Sequence, residues 1–446
     1  MSTQFDQNFK FTEYFSHCVD FLQKYRWIFE HSNTKFVQEG VLDRISNEWI
    51  GDLNGATNEE LNRIPLGYIG DTWCEDLKNF LGEARKLSVI YTRVEQVKHK
   101  TSILKGVSPK KLYEIEHLSA VIGNLCSKDE LLLDFGSGLG YLSQHLHQNY
   151  EFSVFGFEGD ESRVLSCNQR QEKLFPKTKD SVVFLQHFIE ESSYDYIKSR
   201  AEAEFKNCIN KFAIVGLHAC ADLSLTAIKM FLQNTEISKL VIMPCCYHKL
   251  KPITEDCIRF VNIPVSDELK TIMTSHESNF LGRPFLRLGC QQTASRWQNM
   301  TSEEHAKHGQ AMFERSLVQS ILREDEFVTK NKTNEAKATI LDTFKLHHTT
   351  NPIDCTGWSE EQIQGLQETA AKYPNGDRLA EYLTCFQTCL QAICENLILL
   401  DRLCYIRSEA RRQSLDIRSD LVKLANDRLS PRCFIIMAEK LEAADK

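Results

Sequence analysis

The chain contains 446 residues, of which 42% are hydrophobic, and carries a formal net charge of −8 at pH 7. This length is sufficient for a sizeable core and for more than one domain or one heavily decorated domain. The negative net charge argues against a broad basic surface that binds nucleic acid without regard to sequence. The longest apolar runs are shorter than the roughly 18 to 20 residues of a membrane span, and residues 1–15 lack the pattern of a secretory signal. We expect a cytoplasmic or nuclear protein with no membrane contact; the oligomeric state does not follow from the sequence.

Apolar side chains three and four residues apart dominate the first hundred residues, as in "EYFSHCVDFLQKYRWIFE". This spacing predicts a helical N-terminal region over 1–100. Between 101 and 300, helical stretches alternate with short apolar runs, namely "ELLLDFG", "FSVFGFEG", "SVVFLQHF", "KFAIVGLHA" and "KLVIMPCC". Because this alternation is typical of a parallel sheet covered on both faces, the predicted fold class is α/β, with a Rossmann-like core over 101–300.

The helical spacing returns after residue 300, most clearly in "LAEYLTCFQTCLQAICENLILLDRLCYIRSEA". The last segment, "SPRCFIIMAEK", places strand formers after a turn-like "SPR". We therefore predict a large helical insertion over 301–410 and, within 411–446, a strand that returns to the core sheet. The 16 cysteines show no pair of CxxC motifs at zinc-ribbon spacing, so no metal site is predicted and most cysteines are expected to be reduced and buried.

The stretch "LLLDFGSGLGYL", residues 131–142, joins an apolar run to a helix through three glycines. A turn of this kind exposes backbone amides, and glycine lets a ligand approach closely. The spacing D-x-G-x-G-x-G differs from the dinucleotide fingerprint G-x-G-x-x-G, since Tyr141 stands where the last glycine belongs. An aspartate beside the turn suits a positively charged ligand such as S-adenosylmethionine. The predicted cofactor-binding residues of this turn are Asp134, Gly136, Ser137, Gly138 and Gly140.

Two further positions extend the predicted cofactor site. Glu158 ends the next apolar run, about twenty residues on, where a carboxylate can accept hydrogen bonds from both ribose hydroxyls of an adenosine. The third run delivers His187 and Phe188 near the adenine, as edge-reading or stacking partners. The alternatives are a glycine turn that only tightens a strand–helix corner and a solvated loop acid at Glu158.

Several stretches together carry a family resemblance: "GVSPKKLYEIEHLSAVI", "LLLDFGSGLGYLS", "VGLHACADLS", "VIMPCCYHKL", "LGRPFLRLGCQ", "LILLDRLCYI" and "SPRCFIIMAEK". They resemble the methyltransferase-like protein 25 family, which includes a protein named for a ribosomal RNA adenine dimethylase domain. The resemblance runs from about residue 105 to the C-terminus and implies a class I, Rossmann-like fold with S-adenosylmethionine as cofactor. Ala221 and Cys433 depart from the family pattern, where we expect glycine and asparagine.

The helix before the first strand contains Lys110, Lys111 and Glu114. One helical turn places Lys111 and Glu114 on the same face, so one interpretation is a surface ion pair. The resemblance gives the other: a lysine there meets the cofactor's carboxylate while Glu114 meets its amino group. Lys111 and Glu114 are therefore included among the predicted cofactor-binding residues.

The reactive end of such a sheet lies at the carboxyl ends of its strands, where "GLHACADLS" and "PCCYHKL" are expected. His218 is the candidate base, Asp222 an orienting group or a helix N-cap, and Tyr247 a substrate-binding surface for a planar acceptor. His218 is alternatively a core histidine. Cys245 and Cys246 are expected to be buried. The histidines and cysteines of these two loops could alternatively form a zinc site, but the HxC and CCxxH spacings are irregular and adjacent cysteines rarely both bind one ion.

These features favour an S-adenosylmethionine-dependent methyltransferase that acts on a macromolecule, either RNA or protein, because helical additions offer more surface than a small metabolite needs. Candidate RNA contacts are Lys249, Lys251, Arg283, Arg287 and Arg296. The alternative is a non-catalytic Rossmann-like scaffold that binds a protein or RNA partner. Tyr141 and Asp134 are against an NAD-dependent dehydrogenase, and the lack of an "NPPY"-like stretch is against an adenine dimethylase.

Overall fold

The computed structural model describes residues 9–94, 106–205, 211–276, 279–331, 339–349 and 357–441. The predicted boundary at residues 100–101 and residues 1–8 of the segment used to judge the secretory signal lie outside these ranges. The chain divides into two compact units. The first unit comprises Met1–Val19, Val89–Gln291 and Cys394–Lys446, and the second comprises Asp20–Ser88 and Gln292–Ile393.

The strands of the described residues fall into two sheets. In chain order they are β1 (Arg93–Val94), β2 (Leu131–Phe135), β3 (Val154–Glu158), β4 (Val182–Gln186), β5 (Phe212–Cys220), β6 (Ile237–Cys245), β7 (Glu326–Lys330), β8 (Phe344–His348), β9 (Ile417–Leu424) and β10 (Phe434–Lys440). The larger sheet has the order β1-β9-β10-β6-β5-β2-β3-β4 and lies in the first unit, whereas β7 and β8 form a separate pair in the second unit.

The centre of the larger sheet is the predicted parallel core. β2 pairs in parallel with β3 on one side and with β5 on the other, β4 continues from β3, and β6 continues from β5. All five residues of β2 are buried, as a central strand covered on both faces requires. The strand order reverses at β2, because the chain builds β3 and β4 on one side before it crosses to β5. Such a switch point is where open α/β sheets bind ligands.

The C-terminal strand returns to this sheet as its sequence indicates. β10 pairs antiparallel with β6, with Ile436 opposite Ile242. β9 then pairs antiparallel with β10, and the short β1 pairs in parallel with β9. Two strands of this sheet were not predicted: β1 lies in the segment 1–100 that was predicted to be helical, and β9 lies in the segment 411–446, for which a single strand was predicted.

The helices are, in chain order, α1 (Phe11–Lys24), α2 (Asn47–Gly55), α3 (Asn58–Arg63), α4 (Glu75–Lys86), α5 (Pro109–Leu125), α6 (Tyr141–Tyr150), α7 (Glu161–Leu174), α8 (Tyr194–Glu204), α9 (Leu223–Gln233), α10 (Asp267–Thr274), α11 (Arg283–Gly289), α12 (Ser302–Ser320), α13 (Glu360–Lys372) and α14 (Gly376–Arg412). In the first unit, α6 and α7 contact β3 and β4, while α9 contacts β5 and β6. Ser108 caps α5 by accepting a hydrogen bond from the Lys111 backbone N–H.

The second unit is mainly helical around an aromatic core. The ring of Phe80 lies 4.8 Å from that of Tyr25 and 5.3 Å from that of Trp49, measured between centroids, and Phe386 lies 5.0 Å from Trp49. The hairpin of β7 and β8 interrupts the helices expected over 301–410. Each of its strands has only five residues with alternating burial, which is too short for period-two spacing to stand out from its surroundings.

Helix α14 is 37 residues long and, within the described part of the chain, it is the helix whose length and composition would suffice to span a membrane. Its apolar window is 83% buried inside the protein. That degree of burial is typical of a core helix.

Candidate cofactor pocket and active site

The glycine turn after β2 is tightly packed on one side and open on the other. Gly138 and Gly140 both have positive φ, at 57° and 68°. A Cβ on Gly140 would lie 2.5 Å from the ring of Phe184, whereas the nearest atom to a Cβ on Gly138 is a carboxylate oxygen of Glu158, at 4.0 Å. Gly140 is thus required for packing at the start of α6, and Gly138 leaves space in front of Glu158.

The backbone amides of this turn are engaged within the protein. The N–H groups of Gly136 and Ser137 donate to the carbonyl oxygen of Phe157, at 2.9 and 3.0 Å. The N–H of Gly138 donates to Oε2 of Glu158 at 3.0 Å. The expectation that these amides face a ligand is therefore wrong for these three residues, because β3 ends close enough to accept from them. What the turn offers a ligand is space without Cβ atoms.

Asp134 is a buried carboxylate behind the turn, with 1% of its surface exposed. It accepts a hydrogen bond of 2.5 Å from Oγ of Ser143, in the first turn of α6. Burial raises the pKa of Asp134 to about 6, and the charge of Glu158 adds to this, while Ser143 and Lys111 act in the opposite direction. A positive ligand would relieve the cost of this charge. Ser143 was missed by the sequence analysis, although it follows the motif directly.

Lys111 lies over an aromatic ring of the turn. Its Nζ is 4.5 Å from the centroid of Tyr141, and the guanidinium of Arg170 is 4.1 Å from the same ring. Burial lowers the pKa of Lys111. Glu114 forms its ion pair with Lys110, at 3.7 Å. The alternative interpretation, an ion pair between Lys111 and Glu114, is therefore not observed. Lys111 remains beside the turn, where the resemblance places a cofactor-binding lysine.

Glu158 faces the glycine turn, and its side chain is only 12% exposed. Its second oxygen, Oε1, accepts from the N–H of Asp160 at 3.2 Å. The N–H of His187 donates to the Glu158 carbonyl at 2.9 Å, which brings the ends of β3 and β4 together. The His187 ring is itself paired with Oγ of Ser193 at 2.9 Å. Phe188 is 74% exposed and is thus the more accessible ring for stacking with a base.

His218, Glu114 and Ser430 form one network that the sequence analysis did not assemble. Nε2 of His218 lies 3.2 Å from Oε2 of Glu114, and Ser430 donates to Oε1 of Glu114 at 2.6 Å. Burial on its own would raise the pKa of Glu114, but the hydrogen bond and charge of His218, together with Ser430 and Lys110, lower it. Glu114, predicted to bind the cofactor, is therefore a partner of the candidate base in this structure.

The backbone places His218 at an irregularity in β5. Its φ is 75°, and the register between β5 and β6 shifts between Gly216 and Ala219. A bulge of this kind redirects a side chain at the end of a strand. His218 is half-buried, and its Nε2 lies next to the buried carboxylate of Glu114, which fixes the orientation of the imidazole ring.

Asp222 holds a loop. Its two carboxylate oxygens accept from the N–H of Lys251 at 2.9 Å and from Nδ2 of Asn262 at 2.7 Å. Although Asp222 occupies the N-cap position of α9, its side chain makes no capping hydrogen bond. Its predicted role as a cap is therefore wrong, and the structure shows an anchor for the segment that follows β6.

Tyr247 lies in the core. Its side chain is fully buried, its hydroxyl donates to Glu395 at 3.1 Å, and the guanidinium of Arg402 is 5.2 Å from its ring centroid. The expectation that it stacks on a planar substrate is not compatible with this burial. The short turn after β6, Tyr247–Lys249, directs the ring inward.

Cys220, Cys245 and Cys246 meet where β5 and β6 end. Their sulfur atoms all lie within 4.8 Å of one another, and the Sγ atoms of Cys220 and Cys245 are 3.0 Å apart. Hydrogen bonding from Cys245 lowers the pKa of Cys246 against the effect of burial, with help from Cys220 and from the charges of His248 and Lys249. Both Cys245 and Cys246 are predicted from the sequence to be buried; in the structure Cys245 is buried, whereas Cys246 is half-buried.

Part of this chain resembles known proteins. Residues 110–252 match the model of a methyltransferase domain. The chain is 26% identical to the probable methyltransferase-like protein 25 of Homo sapiens over 292 residues, 61% of the chain, and 27% identical to that of Mus musculus over 281 residues, 59% of the chain. The matches span 43% and 42% of the two relatives, so they cover less than half of each relative's length. The resemblance inferred from the motifs is confirmed.

Among solved structures, TrmK of M. capricolum in complex with S-adenosyl-homocysteine is 18% identical, with a TM-score of 0.21, covering 28% of this chain and 49% of that one. An RNA methyltransferase from Salinibacter ruber, also in complex with S-adenosyl-homocysteine, is 13% identical with a TM-score of 0.22, covering 33% and 84%. Residues 110–252 therefore match a methyltransferase domain within a doubly wound, Rossmann-like α/β sheet, and the chain is similar to the mammalian proteins called probable methyltransferase-like protein 25.

Proposed function

We propose that the chain is an S-adenosylmethionine-dependent methyltransferase that acts on a macromolecule. The observation that carries the proposal is the pair of carboxylates at the switch point of the sheet: Asp134 is buried behind the glycine turn, and Glu158 faces Gly138 across a space that a Cβ would enter. The buried carboxylate of Asp134 suits the positive amino and sulfonium groups of this cofactor, and the carboxylate of Glu158, 12% exposed beside the turn, suits its ribose hydroxyls. The two carboxylate acceptors present therefore fit the group.

In this arrangement Asp134 would hold the amino-acid end, Glu158 the ribose, and Phe188 would stack on the adenine. The bound cofactor supplies an electrophilic methyl group on a sulfonium. His218 receives the proton that the acceptor loses, and Glu114 stabilises the imidazolium that forms. Asp222 keeps the loop after β6 in place through Lys251 and Asn262.

Cofactor binding is the first test. Isothermal calorimetry on the full chain is expected to give a dissociation constant in the micromolar range. Glu158→Gln should weaken binding about tenfold or more, because a charge-assisted hydrogen bond to the ribose is lost. Glu161→Gln, in the exposed first turn of α7, is the matched control and should bind like the wild type. Equal affinity of all three proteins, or no binding at all, contradicts the proposal.

For the acceptor we propose RNA ahead of protein. Lys249, Lys251 and Arg287 are exposed beside the end of β6, where α11 packs against the turn Tyr247–Lys249, and such cations suit a polyanion. Arg283 is instead half-buried against Phe260. Methyl-labelled cofactor incubated with extract from cells that lack the protein should label RNA, and His218→Ala should abolish the label. Label in the protein fraction instead of the RNA would contradict RNA as the acceptor and would show that the acceptor is a protein.

One observation favours the alternative, a scaffold without catalytic activity. The amides of Gly136, Ser137 and Gly138 are already paired within the protein, so the turn needs no ligand to satisfy them. A scaffold transfers no label to any fraction of the extract even when calorimetry shows a filled pocket. The same two experiments therefore separate the two functions.

A further inference from the structure

The ends of β5 and β6 bring three thiols together through their register. Cys220 is the last residue of β5 and lies opposite Cys245, the last residue of β6. Their sulfur atoms are 3.0 Å apart, and that of Cys246 lies within 4.8 Å of both. Among the described residues these three are the group of side chains whose ligand atoms are close enough to share one metal ion.

The backbone explains how two adjacent cysteines face the same point. Successive side chains of an extended strand point to opposite faces, so Cys245 and Cys246 would diverge if β6 continued. Cys246 instead has φ 53° and ψ 43°, and this left-handed turn rotates its side chain back toward Cys245. Hydrogen bonds fix the turn, from the N–H of Lys249 to the carbonyl of Cys246 at 2.8 Å and from the N–H of Ala221 to that of Cys245 at 3.0 Å.

A residue with a Cβ is strained in this conformation. Strain of this kind is retained where the surrounding structure requires the resulting side-chain position. Here the strained residue is the one that completes the group of three sulfurs. Cys246 and Cys220 are half-buried rather than enclosed, so a small molecule can reach the group from outside.

We propose that Cys220, Cys245 and Cys246 bind a thiophilic divalent cation of the Zn²⁺ class and leave its fourth coordination position open. Sulfurs bound to one tetrahedral zinc at about 2.3 Å lie close to 4 Å apart, which a small movement of these three side chains achieves. Three protein ligands with an open position are typical of zinc sites that bind a further ligand. The spacing did not predict the site because the turn at Cys246 is not visible in the sequence.

The test uses the reduced full-length chain after removal of metals with a chelator, and Zn²⁺ alone as the ligand. We expect one Zn²⁺ per chain and protection of the three cysteines from alkylation, read by mass spectrometry. Cys220→Ser and Cys246→Ser should each weaken binding by about 100-fold or more. Cys126→Ser, a half-buried cysteine outside the group, is the matched control and should bind Zn²⁺ like the wild type.

Two further measurements keep the test decisive. Circular dichroism without metal checks that each serine variant is folded, and titration with Co²⁺ should give thiolate-to-metal absorption in the wild type that both variants reduce. The proposal is overturned if the wild type binds Zn²⁺ no more tightly than the variant with all three cysteines replaced. The metal site does not depend on methyl transfer. If Zn²⁺ fails to bind but calorimetry still shows binding of S-adenosylmethionine, only the metal proposal is overturned and the proposed function stands.

Discussion

Burial of Asp134 in the folded protein makes its negative charge energetically unfavourable. Burial raises the pKa of Asp134 from 3.8 to about 6. Between pH 3.8 and pH 6 the carboxyl is therefore protonated in the folded protein but ionised in the unfolded chain. Stability is therefore highest below pH 4 with respect to this group and falls as the pH rises to about 6, by about 3 kcal/mol in total. A cationic ligand would recover part of this energy.

We predict that Asp134→Asn has opposite effects on stability and binding. As the pH rises from 4 to 7, the variant should gain about 3 kcal/mol of unfolding free energy relative to the wild type, because asparagine carries no charge to bury. The affinity for S-adenosylmethionine should fall about tenfold or more. Urea unfolding at several pH values and calorimetry measure the two effects. The exposed Asp129→Asn should produce neither, and a pH-independent difference for Asp134→Asn would contradict this account.

Ala221 stands in the loop after β5 with φ 50°, a conformation that favours glycine. We predict that Ala221→Gly raises the free energy of unfolding by about 0.5 to 1 kcal/mol, since relief of strain exceeds the entropy that glycine adds to the unfolded chain. The midpoint of urea denaturation measures this. Ala219→Gly, two residues earlier in the buried strand, should lower stability by about 1 kcal/mol. Shifts of the same sign in both variants would be evidence against backbone strain at Ala221.

At the scale of elements, the junction between β2 and α6 contains two glycines, two residues apart, with different roles: Gly140 permits close packing and Gly138 leaves space for a ligand. We predict that Gly140→Ala destabilises the protein by about 3 kcal/mol, because a methyl group would collide with Phe184 in a strained backbone. Gly138→Ala should cost only about 1 kcal/mol, yet weaken cofactor binding by occupying the space before Glu158. Thermal unfolding and calorimetry on both variants test whether Gly140 acts mainly on stability and Gly138 mainly on cofactor binding. This assignment fails if Gly138→Ala binds the cofactor normally.

Strands with a continuous apolar run were predictable, whereas strands with polar residues or very few residues were not. The five parallel strands follow from apolar runs, and β10 from "CFIIMA", because burial on both faces leaves little choice of residue. β9 contains Arg418, Asp420 and Lys423 among its eight residues, so its polarity concealed it. β1 has only two residues, and no local pattern of that length is informative.

At the scale of the whole molecule, the second unit has a buried charge cluster of its own. Glu381 accepts from Nδ1 of His305 at 2.5 Å and from Nδ1 of His308 at 2.6 Å. Burial on its own would raise the pKa of Glu381, but these two histidines lower it. A lowered pKa means that the carboxylate stabilises the unit above its unfolded value of 4.5, and that this stabilisation is lost as the pH falls through the folded value.

We predict that Glu381→Gln destabilises the second unit by about 2 kcal/mol at pH 7, because hydrogen bonds to a charged acceptor are lost. The difference from the wild type should shrink as the pH falls from 4.5 through the lower pKa of Glu381 in the folded protein, because the wild-type carboxyl then becomes neutral too. Hydrogen exchange of peptides from α12 reports this unit directly. The control is Glu303→Gln, which changes an exposed acid of α12. An effect that persists unchanged at low pH would show that charge is not its cause.

The sequence by itself determined the parallel core, the glycine turn and the acids Asp134 and Glu158 that accompany it, because each depends on residues that are close along the chain. Only the tertiary structure joined His218 to Glu114 and Ser430, placed Tyr247 in the core, and assembled Cys220 with Cys245 and Cys246. These arrangements depend on strand register and on backbone turns with positive φ. Neither is set by local composition, because both follow from contacts between segments that are distant in sequence.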